Sequence, residues 1–401
     1  MDFTIRPQVE DLRLKVRAFV DREIIPLESD KTNFNEFENL KLSLRDELRA
    51  KSKAEGLWAP QMPVSRGGLE LPMAEQAVFY EEANRSIFGP AIFNCAAPDD
   101  GNMRCLEMVA TDDQKTRWLQ PVVDGQVNSS FAMTEPHPGG GSDPGMIQTR
   151  AERQGSKWRI YGHKWFISGA AIAKHFILMA RTDLNPDEKR RHLTAFMFHA
   201  DQPGWRIVRR IDNMGPDEHG GVCEIEFDGL EIDDADRLME IGDGLRLTQI
   251  RLGPARLTHC MRWLGLSKRC MEITQDYVSG REGFGIKLGE RETVQTALGE
   301  LAHDIQIGRL LVMHAAWKLD QGVRARKEVS SAKIHVADTL HKAADTGIQL
   351  NGARGYSNDT VLEWIYRYAR CARLVDGASE VHKMVLARFY GKEGTDFWQW
   401  G

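Results

Sequence analysis

Near the C-terminus, Asp376-Gly377-Ala378-Ser379-Glu380 sets a carboxylate in a turn just ahead of an apolar run. A carboxylate there can take a proton as a general base, and it can equally cap the helix that follows, since aspartate is a good N-cap. Residue types alone leave both readings open. Arg256, in Gly253-Pro254-Ala255-Arg256, offers a cation that would favour an ionised carboxylate nearby; its plainer reading is a surface ion pair. Arg281 ahead of Phe284-Gly285, and Gly352 and Gly355 after Gln349, have the chemistry that suits phosphates, although a solvated arginine is the default for such a short pattern. Gly139-Gly140-Gly141 is not a phosphate-cradling P-loop, because no Gly-Lys-Ser/Thr follows. The six cysteines, Cys95, Cys105, Cys223, Cys260, Cys270 and Cys371, form no Cys-x-x-Cys pair and no Cys/His cluster. Neither a metal site nor a disulfide framework is expected.

The elements that must position these residues change character twice along the 401 residues. From Val9, the spacing of Leu12, Val16, Phe19 and Val20 predicts a helix that Pro26 closes, and Lys41–Ala54 and Met73–Arg85 are helical too. Between them, Pro60, Pro63, Gly67 and Gly68 break the period. The segments Trp158–Ser168, His175–Thr182, His192–Ala200, Trp205–Arg210 and Val222–Ile232 are short, rich in β-branched and aromatic residues, and bounded by turn formers. They predict a compact antiparallel β domain, with His219 a structural residue at the start of its last strand. The strands follow one another without intervening helices, which argues against a Rossmann unit. After Leu238 the helical period returns, through Leu298, Leu301, Ile305 and Val312, then Val329, Val336 and Leu340. The expected fold class is α+β: a helical domain over 1–126, a β domain over 127–237 and a helical bundle over 238–401.

The net charge of -5 comes from 53 basic and 58 acidic residues interspersed along the chain, with no basic stripe for nucleic acid. No run approaches the roughly 18 to 20 apolar residues of a membrane span. Residues Met1 to Val9 have neither the charged start and apolar core of a secretory signal nor the composition of a transit peptide. A cytoplasmic protein with a small-molecule ligand is expected.

Phe131-Ala132-Met133-Thr134-Glu135-Pro136, followed by Gly139-Gly140-Gly141-Ser142-Asp143, resembles the signature that opens the β domain of acyl-CoA dehydrogenases. Four further segments resemble the same family, in its order and spacing: Lys164-Trp165-Phe166-Ile167-Ser168-Gly169, Arg281-Glu282-Gly283-Phe284-Gly285, Gln349 through Tyr356, and Asp376 through Glu380. Asn94-Cys95, Asp100-Gly101-Asn102-Met103 and His259-Cys260-Met261-Arg262 are similar to the branch that in animals is sometimes fused to a kinase-like domain. The resemblance implies the family's layout, a helical domain, an antiparallel β-barrel domain and a helical bundle. It also implies FAD as cofactor and α,β-dehydrogenation of an acyl-CoA thioester, with electron-transfer flavoprotein as acceptor.

By this resemblance Asp376 is the catalytic base, standing where the family usually has glutamate, and Arg256 lies beside the catalytic pocket. Some members place the base just before that arginine; here Ala255 stands there and cannot take a proton. The thioester carbonyl would be held by the Asp376 amide and a flavin hydroxyl. Phe131, Met133, Thr134, Phe166 and Ser168 would meet the flavin ring, with Phe166 where tryptophan is common and Ser168 where threonine is. Arg281, Phe284, Gln295, Gln349, Gly352 and Gly355 would hold the pyrophosphate and adenosine of a neighbouring subunit's FAD, which implies a homodimer or homotetramer. Ala378 and Glu380 complete the cofactor set, and Ser142, Val375 and Gly377 form the substrate side.

Three departures lie close to these positions: Val375 for a usual tyrosine, Ala378 for threonine, and Arg354 within a glycine-rich turn. They bear on acyl preference and acceptor, and the related animal branch is associated with longer or 4-hydroxylated acyl-CoAs. The alternatives are an oxygen-using oxidase or monooxygenase on the same fold, and a flavin-bearing scaffold without turnover.

Overall fold

The computed structural model describes residues 4–182, 193–217 and 220–399. His192, the predicted start of one strand, and His219 lie outside the described residues. The N-terminal helices are α1 (Pro7–Phe19), α2 (Leu42–Ala54), α3 (Met73–Ala83), α4 (Gly89–Ile92), α5 (Asp99–Val109), α6 (Asp112–Gln114) and α7 (Gln120–Val123). Pro7 opens α1, where its missing N–H costs nothing, and Val9, Val16 and Phe19 form the buried stripe that helical spacing required. Beyond Phe19 the helix widens into a π turn over Val20–Ile24 and then tightens into a 3₁₀ turn over Ile25–Ser29, with Pro26 in the first turn of the latter.

The strands are β1 (Asn128–Ala132), β2 (Arg150–Gln154), β3 (Lys157–Ser168), β4 (Ala173–Arg181), β5 (Leu193–His199), β6 (Trp205–Arg210), β7 (Val222–Asp233) and β8 (Arg237–Leu238). They pair in the order β6-β7-β3-β2-β4-β5-β8, with β1 alongside β4. Pairing is antiparallel except where β1 and β2 meet β4, which they do in parallel. Sequence patterning missed β1 and β2. β1 reads Asn-Ser-Ser-Phe-Ala, and β2 is a charged strand, Arg-Ala-Glu-Arg-Gln, largely open to water, so neither carries the β-branched and aromatic content that identified β3 and β7.

The C-terminal part comprises α8 (Gly244–Gly280), the hairpin β9 (Glu282–Gly283) and β10 (Ile286–Lys287), α9 (Glu292–Asp320), α10 (Arg326–Asn351), α11 (Ala353–Tyr356), α12 (Leu362–Ala372) and α13 (Ser379–Glu393). One hydrophobic core joins both helical regions: Phe19, Phe79 and Phe93 pack into the cluster that holds Trp263, Leu264, Val336 and Leu340. The sheet keeps a core of its own around Phe176, Phe196, Phe198 and Ile225. A further cluster welds α5, α8 and the inner strands through Met103, Met133, Ile177 and Leu247. Close approach of α3 and α8 requires Gly265, since a Cβ there would stand 2.3 Å from the Glu81 carbonyl. Among the described residues no helix is long and apolar enough to cross a membrane.

Candidate active site

Between α12 and α13 the chain turns through Asp376, at φ +52°, and Gly377, at φ +97°. A left-handed conformation costs a non-glycine residue about 1–2 kcal/mol, so the surroundings must hold Asp376 in place. They do so through two cations. Arg256 of α8 donates from Nε to the Asp376 carbonyl at 2.8 Å, and Lys333 of α10 donates to the Gly377 carbonyl at 2.9 Å and to Ala372 at 2.8 Å. The next helix is capped elsewhere: Ala378 is the N-cap of α13, with no side-chain cap bond. The capping reading of Asp376 therefore has no support in the structure.

The Asp376 carboxylate points inward, 3.4 Å from His259 Nε2 and 3.9 Å from the Arg251 guanidinium. These are ion-pair distances, and no well-formed hydrogen bond reaches Asp376 Oδ2 among the described residues. Burial would raise its pKa; the facing His259, Arg251 and Arg256 outweigh burial and hold the carboxyl well below the usual range. The Asp376 amide N–H likewise meets no acceptor among the described residues.

Behind this turn lies a buried polar assembly along one stripe of α8. His259 Nδ1 is 3.1 Å from Arg262, whose guanidinium donates to the Cys95 carbonyl at 2.9 Å and stands 3.4 Å from Asp100. Asp100, only 1% exposed, also accepts from Thr258 at 2.6 Å and Tyr80 at 2.9 Å. Burial pushes its carboxyl up, and Arg104, Arg262 and the two hydroxyls bring it below the ordinary value. The neighbouring Asp99 instead accepts from the Ser129 amide at 2.6 Å and from Asn128, which fixes the start of β1. Asn102 bridges Ser129 and Arg251. The Asp99–Asn102 segment thus ties α5, α8 and β1 into one frame.

Phe131 leaves β1 beside this frame, with the Arg251 guanidinium 4.9 Å from its ring centre. Thr134 is paired with the irregular middle of β3: its hydroxyl donates to the Trp165 carbonyl at 2.6 Å, and the Trp165 amide returns a bond at 3.0 Å. Beneath them Lys164, fully buried, donates to the Met133 carbonyl at 2.9 Å and to Glu135 at 2.8 Å. Burial pushes the Lys164 ammonium down to about 8, with Glu135 opposing. The Met133 side chain packs in the core, whereas Phe166, at φ +52° on the β3 bulge, leaves 49% of its surface open. Ser168 follows Phe166 on β3, and its carbonyl accepts from Ser130.

The FAD expected from resemblance fits these residues. A large half-exposed aromatic held in a strained bulge, next to the Trp165 that Thr134 pairs with, is an apolar face that its own chain does not fully cover. With the Thr134 hydroxyl already donating to Trp165, its amide is the better donor toward a flavin edge.

The remaining expected positions do not join this cluster. From Arg256 to Arg281, at the end of α8, the helix runs roughly 37 Å at about 1.5 Å per residue. Phe284 follows at φ +55° and is fully exposed; Gln295 donates to the Gly289 carbonyl, and Gln349 lies at the end of α10 with Gly352 and Gly355 just beyond. Within one chain these residues cannot meet the group around Asp376. Ser142 is exposed in the loop after β1, Val375 is at the rim of the turn, and Ala378 and Glu380 open α13.

Residue reasoning missed Arg251 altogether and gave His259, Arg262 and Asp100 no role beyond their motifs. The signal for them was four positions at helical spacing, Arg251, Ala255, His259 and Arg262, three of them polar on a helix face that the pattern buries. The cysteines offer no alternative chemistry: burial pushes the Cys105, Cys260 and Cys270 thiols up to about 12.

Three family models match: "Acyl-CoA dehydrogenase, N-terminal domain" over residues 6–126, "middle domain" over 130–230 and "C-terminal domain" over 242–391. The chain is 34% identical over 398 residues to a protein named probable acyl-CoA dehydrogenase FadE2 from Mycobacterium tuberculosis, covering 97% of this chain and 96% of that one. It is 33% identical to acyl-CoA dehydrogenase family member 11 of Gallus gallus, across 95% of this chain but only 50% of that protein. A solved structure of a proposed acyl-CoA dehydrogenase from Mycobacterium abscessus superposes with a TM-score of 0.89 at 32% identity, over 98% of this chain and 100% of that one.

Proposed function

The chain belongs to the acyl-CoA dehydrogenase family, and from that premise we propose that it removes the α-proton of an acyl-CoA thioester with Asp376 and passes the β-hydride to FAD. It is an oxidoreductase acting on an acyl-CoA. FAD is the family's cofactor and supplies the hydride acceptor when bound. Phe131, Thr134, Phe166 and Ser168 would hold its ring, and Arg281, Phe284, Gln295, Gln349, Gly352 and Gly355 its phosphates and adenosine across a homodimer or homotetramer.

The observation that carries this reading is the state of Asp376. Its carboxylate turns inward with Oδ2 shielded from water, is kept ionised by His259, Arg251 and Arg256, and has no hydrogen bond at Oδ2 among the described residues. A carboxylate held so low is ready to accept a proton but is weakly basic, so the thioester must be acidified at the same moment. The free Asp376 amide can do this. The cations that fix the Asp376 and Gly377 carbonyls also fix the peptide planes around it, and a donor aimed at the thioester oxygen stabilises charge as the proton leaves. Glu135 and Lys164 tie the segment after β1 that carries Thr134 to β3, which would keep the flavin-facing residues in register.

We further assign the acceptor as electron-transfer flavoprotein and the compartment as the cytoplasm. Anaerobic titration of the FAD-bound protein with a panel of straight, branched and 4-hydroxylated acyl-CoAs tests the reading, through bleaching of the flavin absorbance. Bleaching by at least one acyl-CoA, followed by reoxidation with electron-transfer flavoprotein, is the expected outcome. No bleaching across the panel with FAD bound overturns the dehydrogenase, and rapid peroxide release in air replaces it with an oxidase.

A further inference from the structure

We propose that His259 is a positioning residue for the base Asp376, presenting a neutral Nε2–H to its carboxylate in a tautomer that Arg262, anchored on Asp100, imposes. The inference rests on the reading of Asp376 as base. Its core is a donor count. Arg262 carries only N–H groups and cannot accept, so the His259 Nδ1 that it approaches at 3.1 Å must offer a lone pair. The ring proton is thereby confined to Nε2, the atom 3.4 Å from Asp376 Oδ2. That distance is long for a hydrogen bond, as catalytic contacts often are before substrate binds and the site tightens.

Arg262 is itself held in place. Its guanidinium is 3% exposed, bound to the Cys95 carbonyl at 2.9 Å and paired with Asp100 at 3.4 Å. Asp100 is in turn fixed by Thr258 and Tyr80, so the guanidinium has little freedom to release His259. His259 is 6% exposed and lies against Trp263 with ring centres 5.2 Å apart, which sets the plane of the imidazole. The line Asp100, Arg262, His259, Asp376 runs from α5 through α8 to the turn before α13. It resembles in logic the way a buried acid orients a catalytic imidazole, with the roles reversed: here the imidazole orients the acid.

The titratable groups that face this pair come from four helices. On α8 itself stand Arg251, Arg256 and Arg262; Arg104 approaches Asp100 from α5. Lys333 of α10 and His382 of α13 face the far side of the turn. A second ring proton would sit on Nδ1 and face the Arg262 N–H at 3.1 Å, where only a lone pair fits.

Two measurements test the proposal. In ¹⁵N-histidine-labelled protein, with His259 assigned by its absence in His259→Gln, neutral pH should give a ring with an unprotonated Nδ1 and a protonated Nε2. A proton on Nδ1, or on both nitrogens, overturns it. In stopped-flow flavin reduction, His259→Leu should slow the half-reaction by about tenfold or more, because the carboxylate loses the donor that holds it in line. His259→Gln, which keeps an N–H at similar reach, should restore the rate. A wild-type rate in His259→Leu, or a His259→Gln as impaired as the leucine variant with FAD content intact, sinks the role. Asp376→Asn reports separately on the base: if that variant reduces flavin normally, the base reading fails while the tautomer result still stands or falls by itself.

Discussion

The two ends of α8 present opposite states of completion. Near its start, Arg251, His259 and Arg262 are buried and Arg256 is partly so, and each meets a partner from α5, β1 or the turn before α13. At its far end, Arg281 and Phe284 project from a chain that offers them little cover, Phe284 fully exposed in a left-handed conformation. An isolated chain builds the first region from its own core. The second is an aromatic and a cation without a floor, as expected for a surface that works on something bound to another subunit. Order at the first end comes from desolvated charges that must all be matched; the second end can wait for its ligand because water satisfies it.

The comparison breaks most visibly at Asp376. Asp376→Asn should lower acyl-CoA-driven flavin reduction about a thousandfold, within the range that general base catalysis supplies, while FAD content and oligomeric state stay unchanged. A variant that reduces flavin at the wild-type rate would remove the first region's claim to the chemistry. Next in size, Glu135→Gln strands the Lys164 ammonium in a site with no exposure, which should cost about 3 kcal/mol and appear as a lower denaturant midpoint. An unchanged midpoint would mean that the ring-side strands do not depend on this pair.

A smaller effect should follow pH. Burial, with Arg256 and Lys333 nearby, pushes His382 down to about 4 from an ordinary 6.5. The unfolded chain therefore takes up this proton first as pH falls, so the contribution is intact above about 6.5 and is lost progressively toward 4. Unfolding monitored across that window should lose about 2 kcal/mol on this account, and His382→Gln should remove that part of the slope. The smallest effect belongs to the far end. Arg281→Ala should weaken FAD retention by about tenfold and leave unfolding within about 0.5 kcal/mol of wild type, as surface changes do. A large loss of stability there would erase the contrast between the two ends.

Much of the architecture was legible in the sequence, for reasons that particular elements make plain. The boundaries of β6 and the start of β7 fall where β-branched and aromatic residues gather between turn formers, and α3 begins at Met73 where the turn-rich stretch ends. β1 and β2 were not legible. β1 is held by Asp99 and by its parallel partner β4, not by a pattern of its own, and β2 faces water along most of its length. At the site, motif resemblance found Asp376, Arg256 and Phe166 but could not assign Arg256 to the backbone carbonyl of Asp376 rather than to its carboxylate.

The sequence by itself determined the helical, β and helical order, because hydrophobic period is a local property that each segment carries. Through its resemblance to the family it also offered Asp376 as the candidate base, with Ala255 standing at the family's alternative position. Which charges meet that carboxylate was decided only by the tertiary structure. Arg251 and His259 lie more than a hundred residues from Asp376 in the chain, and Asp100 lies farther still. They converge because α8 packs against α10 in one core and against α5 in another, and an ionised group shielded from water is stable only where folding brings it partners.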